Sequence, residues 1–168
     1  MSAPVIDAFE FCRLKERLEG ETPVAELPRL AAECVDPNTS LRWSLEGGMD
    51  TFGHPRLRMG VAGTVQLTCQ RCMTPFAFPI RSESVLVLAK SEAQADEIEE
   101  LIADDAVDVI VGSRTANVLE WIEDEALLAL PLSPRHEICP DGRAVGDRGD
   151  DGKPSPFDVL KGIGRKKE

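Results

Sequence analysis

The sequence predicts an α+β fold, an antiparallel β-meander or partial barrel packed with a long helix, and three observations carry that expectation. From Ser40 to Lys90 apolar residues recur at every second position. From Asn117 to Leu130 they recur at helical spacing, and Pro131 stops the run. Residues 141–154 hold four Gly and four Asp without apolar periodicity, which marks a flexible linker before a short C-terminal helix. The expected organisation is one α+β domain over 1–140, a linker over 141–154, and a short helix with a basic tail over 155–168.

Val5 to Phe9 has strand character, and Glu10 to Leu18 is charged and helix-compatible. Thr22 and Pro23 read as the N-cap and first position of a helix ending near Cys34, with Val24, Leu27, Leu30 and Ala31 on one face and Pro28 kinking or shortening it. Leu41, Trp43 and Leu45 alternate with polar residues in the first strand of the meander, and Gly47-Gly48 and Gly53-His54-Pro55 mark a turn. His54 reads as a turn residue without a partner. Leu57 to Thr68 and Phe76 to Leu88 form the next two strands, so the break from Cys69 to Pro75 is a hairpin loop.

After Lys90 a loop or short helix is expected over Glu92–Ile102 and a short strand over Val107–Val111. The long helix has Asn117 or Thr115 as its cap. Val118, Trp121, Ile122, Leu128 and Ala129 share its apolar arc, with Glu120, Glu123 and Asp124 opposite. Glu125 falls inside the apolar arc and needs a partner such as Arg71 or Arg135, because an unpaired buried charge is costly. Ser155 caps the C-terminal helix, with Pro156 at its first position.

Composition narrows the function. The chain carries 30 Asp plus Glu against 19 Lys plus Arg, a net charge of −11, which argues against coating phosphate through clustered bases. Twelve of those acids lie between Glu92 and Glu125 beside one base, Arg114, so the remainder is balanced. Such a block is a solvated face or a docking strip for a basic partner. The start has neither a basic region nor a long apolar stretch, and five cysteines are an odd number, which together suggest reduced thiols in the cytoplasm. No phosphate-cradling loop, nucleophile elbow or small-molecule site is legible.

The sharpest motif is Cys69-Gln70-Arg71-Cys72. Two thiols so spaced can chelate a metal or form a reversible disulfide, and they can equally be ordinary loop residues. A thiol-disulfide oxidoreductase using Cys69 and Cys72 is the rival function, although that chemistry favours a helix N-terminus over a hairpin. A closed zinc site needs four ligands, and His136 with Cys139 offers a second pair, with 63 residues between it and the first. Cys12 and Cys34 read as small buried hydrophobes.

Three clusters resemble the YceD family, also called the large ribosomal RNA subunit accumulation protein. They are Leu67-Thr68-Cys69-Gln70-Arg71-Cys72 with Pro75-Phe76, then Ile122 to Glu125 running into Leu128 to Pro131 with Pro134 and His136, and lastly Pro156-Phe157 with Leu160 before a basic end. The resemblance implies a non-catalytic cytoplasmic factor for synthesis, processing or stability of 23S ribosomal RNA. Some relatives carry more cysteines after the Leu-Pro segment, which suits zinc there, whereas this chain keeps only Cys139. Its partners would be the large-subunit ribosomal RNA precursor, a basic ribosomal protein, or both. Lys161, Arg165, Lys166 and Lys167 would touch RNA phosphate with Phe157 as an anchor, and Glu120, Glu123 and Asp124 would receive a basic protein.

Overall fold

The computed structural model describes residues 4–142. By its internal contacts the chain divides into Met1–Arg135 and His136–Glu168. The expected linker from 143 on, the Ser155-capped helix, Phe157, Lys161, Arg165, Lys166 and Lys167 lie outside the described residues.

In the first unit the elements run β1 (Val5–Ile6), α1 (Ala8–Leu14), β2 (Arg17–Pro23), a 3-10 turn (Val24–Glu26), α2 (Pro28–Glu33), β3 (Ser40–Met49), β4 (Pro55–Thr68), β5 (Pro75–Ala89), α3 (Glu92–Ile102), β6 (Val107–Val111), β7 (Ala116–Asn117) and α4 (Val118–Leu128). One sheet has the order β2-β3-β4-β5-β6, and β1 pairs with β7 in a two-stranded sheet. The meander β3 to β5 is antiparallel, as its alternation predicts, and β2, which the sequence does not mark as a strand, adds to it antiparallel at β3. β6 departs from it, returning through α3 to lie parallel to β5. β2 and β6 do not pair, so the sheet is open and no barrel closes.

One face of the sheet carries the main core. Leu41, Leu45, Leu57, Val61, Val65, Leu67, Ile80 and Leu88 are buried with Phe11, Leu30, Val118, Ile122 and Ala126 from the helices. Gly47 is where α1 comes closest: a Cβ there would stand 2.5 Å from the Phe11 carbonyl oxygen, so only glycine lets this backbone contact form. On the other face α3 seats Ala95 and Ile98 against Val87 and Ala89. Elsewhere that face is open and displays Arg42, Arg58 and Arg81.

The N-terminal third departs from expectation. Asp7 caps a helix at Ala8 by accepting from the amides of Phe9 and Glu10, so helix begins where a strand through Phe9 is predicted. The helix ends at Lys15, and the chain turns directly into β2. Thr22 is no cap; it is buried in β2, where its hydroxyl accepts the Trp43 indole N–H at 2.9 Å. An indole N–H in a core needs that partner, and the demand overrides local start chemistry. Pro28 begins α2 rather than kinking it, since its missing N–H costs nothing at the first helical position.

Two hairpin turns join the long strands. Between β3 and β4, Asp50 accepts the amides of Phe52 and His54 at 2.9 and 2.7 Å and faces the His54 ring nitrogen at 3.1 Å. His54 therefore has a partner, contrary to the sequence reading. Burial alone would raise the Asp50 carboxyl, but these contacts with His54 and Phe52 outweigh it and hold the group below its ordinary value. The second turn, between β4 and β5, contains the cysteine pair.

Cys12 is fully buried, and burial pushes its thiol up from its ordinary value. Cys34 is only half-buried, a partial departure from the expectation, and burial raises its thiol too.

Candidate metal centre

The β4–β5 turn is fixed by its own backbone. The Cys69 amide donates to the Thr74 carbonyl and the Met73 amide to the Cys69 carbonyl, both at 2.9 Å. Closing so short a loop puts Met73 in the left-handed region at φ 60°, a conformation that costs a side-chain-bearing residue about 1–2 kcal/mol. The reward is orientation. The Arg71 amide points at the Cys69 sulfur from 3.4 Å, and the Cys72 sulfur lies 3.0 Å from the Thr74 hydroxyl. Both contacts fix the direction of the thiol side chains, as outer hydrogen bonds orient metal ligands. The Gln70 amide also donates to the Pro134 carbonyl at 2.8 Å, anchoring the loop to the segment after α4.

In the second unit the Gly142 amide closes on the Cys139 carbonyl at 2.9 Å with Gly142 at φ 82°, and Cys139 is buried. The ligand atoms of Cys69, Cys72, His136 and Cys139 all lie within 4.8 Å of one another. Tetrahedral zinc with sulfur ligands at about 2.3 Å sets its donors about 3.8 Å apart, so this set is near the required spacing. Three thiols and one imidazole are a donor set zinc prefers, and four protein ligands leave no open position for substrate. The pair sits in a β-hairpin rather than at the first turn of a helix, and nothing supports the oxidoreductase alternative.

α4 turns out differently from its predicted phase. Asn117 is its cap, accepting the Leu119 amide at 3.0 Å, as one of the two predicted candidates. Its buried residues are Val118, Ile122, Glu123, Glu125 and Ala126. At about 100° per residue the buried arc thus centres between Ile122 and Ala126, which draws Glu123 inward and leaves Leu128 82% exposed. The placement of Glu123 on a solvent face is therefore corrected. Its carboxylate accepts the amides of Arg29 and Leu30 at 2.6 and 3.1 Å and the Arg29 Nε at 2.9 Å, satisfying first-turn donors of α2. Asp124 binds Arg29 Nη1 at 2.6 Å, and Asp124 first, then Glu123, raises the guanidinium still further. Of the proposed docking carboxylates Glu120 and Asp124 stay exposed, Glu120 3.4 Å from the Asn117 side-chain amide and Asp124 on Arg29.

Glu125 is buried, as its place on the apolar arc predicts. The partner brought to it is the Ser82 hydroxyl of β5, in place of the anticipated arginine contact. Arg135 instead places its Nε 3.3 Å from the Ser133 hydroxyl. Ser82 and Arg29 escaped sequence reading because each is matched to its carboxylate only by tertiary packing. A faint signal for Arg29 was its position beside Pro28, in a first turn whose amides need an acceptor.

An open five-stranded sheet backed by α4, with a pair of cysteines in its β4–β5 turn, defines a small α+β protein with a candidate structural metal centre. Residues 57–163 match the model of the family described as Large ribosomal RNA subunit accumulation protein YceD, and the chain belongs to that family. It is 26% identical over 148 residues to the Large ribosomal RNA subunit accumulation protein YceD of Haemophilus influenzae (strain ATCC 51907 / DSM 11121 / KW20 / Rd), an alignment covering 84% of this chain and 83% of that protein. No solved structure matches the chain. No helix among the described residues is long and apolar enough to cross a membrane.

Proposed function

We propose that this protein is a cytoplasmic ribosome biogenesis factor needed for synthesis, processing or stability of 23S ribosomal RNA, and that it acts by binding rather than by catalysis. The observation that supports this most is the family match over residues 57–163, which runs from β4 through the cysteine hairpin and α4. Its partner is the large-subunit ribosomal RNA precursor or a basic ribosomal protein bound to it. Deleting the gene and measuring the ratio of 23S to 16S RNA, with sucrose-gradient profiles, tests the role. The expected result is a fall in that ratio and in the large-subunit peak, restored by the intact gene. An unchanged ratio overturns the reading.

Cys69, Cys72, His136 and Cys139 would hold one zinc ion, which when bound supplies a cross-link rather than an open Lewis-acid position. The chain's own contribution is to aim the thiols by the Arg71 amide and to fix the hairpin by the Gln70–Pro134 hydrogen bond. Equimolar zinc in purified protein, lost on substituting Cys69 and Cys72 by serine, is the expected result.

A further inference from the structure

One cavity gathers cations in an acidic protein. It has a volume of about 520 Å³ and is lined by Phe9, Arg13, Met49, Pro55, Lys90 and Arg114. Phe9, Met49 and Pro55 supply apolar surface, while the three bases supply charge; no carboxylate lines it. Arg114 is the sole base in the segment that carries all of the chain's net charge. Lys90 and Arg114 are exposed and make no ion pair with the described residues, whereas Arg13 is held by Glu10 at 2.9 Å. Gly112 makes the arrangement possible, since a Cβ there would come within 2.7 Å of the Phe9 ring.

We infer that this cavity binds an unpaired nucleotide of single-stranded RNA, with the base against Phe9, Met49 and Pro55 and the flanking phosphates at Lys90, Arg114 and Arg13. The chemistry matches on both counts. Single-stranded RNA offers a flat apolar face beside a regularly charged backbone, and its readers combine an aromatic or apolar platform with cations. An acidic peptide has carboxylates but no comparable flat body for the apolar surface. The inference rests on the proposed connection with ribosomal RNA and adds a direct contact to it. Around Arg114 the long acidic segment repels phosphate, so contact there is confined to the cavity's own cations.

The full chain is titrated against a fluorescein-labelled oligouridylate of about 12 nucleotides, by anisotropy, over about 50 to 200 mM KCl. Lys90→Glu combined with Arg114→Glu should weaken binding about tenfold or more and reduce the salt slope by about 1.4, at about 0.7 for each phosphate no longer neutralised. Arg42→Glu with Arg58→Glu, an equal charge change on the open sheet face, should stay within about twofold of the parent. An abasic strand of equal length should bind about fivefold or more weakly, from the loss of stacking. Equal melting temperatures for the two double variants check folding. No binding by the parent chain, equal weakening by both pairs, or equally good competition by oligoglutamate overturns the inference. Normal 23S levels restored by the Lys90→Glu, Arg114→Glu protein overturn the pocket and leave the ribosomal role standing. Pocket-dependent RNA binding beside an unchanged 23S ratio in the deletion strain overturns the role and leaves the pocket.

Discussion

The two hairpin turns of the meander solve the same problem in opposite ways. Each reverses the chain between long antiparallel strands and each closes on backbone hydrogen bonds. The β3–β4 turn answers its own needs: one carboxylate, Asp50, takes two amides and faces the His54 ring. The β4–β5 turn carries instead two thiols, Cys69 and Cys72, that belong to a group able to hold a metal ion. A self-satisfied turn is a structural part, whereas a turn that carries two metal-ligating residues with two positions between them is a candidate for binding.

Metal removal should separate the turns most sharply. If zinc is bound, a stripped protein forgoes about 4 kcal/mol at free zinc a thousandfold above Kd. For a chain of this size that is a melting-point loss of about 8–16 °C. Hydrogen exchange should rise at Gln70 and Met73 after chelation and stay level at Phe52 and His54. Equal exchange at both turns would dissolve the distinction.

Glu123→Ala gives a reference outside either turn. It leaves the Arg29 and Leu30 amides without their acceptor and should destabilise by about 2–4 kcal/mol in denaturant titrations, with zinc content unchanged. Acid should act on the first turn. The Asp50 carboxyl is lowered in the folded state, so its stabilisation is complete above the ordinary value of 3.8 and is lost as pH falls through the folded value. Asp50→Asn should cost about 1 kcal/mol near neutrality and flatten the acid limb of the melting curve. The smallest effect belongs to the second turn: Met73→Gly should stabilise by about 0.5–1 kcal/mol by relieving the left-handed conformation, with unchanged zinc affinity.

Strands β3 and β4 were legible because each buries one face, and a period of two survives in Leu41, Trp43 and Leu45 or in Val61, Val65 and Leu67; β5 was legible from its apolar end, Leu86 to Ala89, buried on both faces. α3 and β6 fall where the sequence offers a loop or short helix and a short strand, and Ser91 caps α3; Cys69, Cys72, His136 and Cys139 stand out as two pairs of equal spacing. Thr22 misled because its hydroxyl serves Trp43 across a strand pair instead of the amides that follow it. Glu123 misled because its hydrogen-bond partners begin 94 residues earlier, and periodicity reports only which face a residue shares. The Phe9, Lys90 and Arg114 cavity had no sequence signal, since its walls come from separated segments.

β6 also orders the molecule in time. The meander can grow hairpin by hairpin, each pairing closing a short loop. β6 can add only after the chain has traversed α3 and come back parallel, and such pairings are intrinsically slow. With solvent along its outer side it is held by one neighbour strand and by α3. The Val107–Val111 strand is accordingly the piece of sheet whose amides should exchange soonest after those of the frayed ends, a seam beside the hairpin-linked layer.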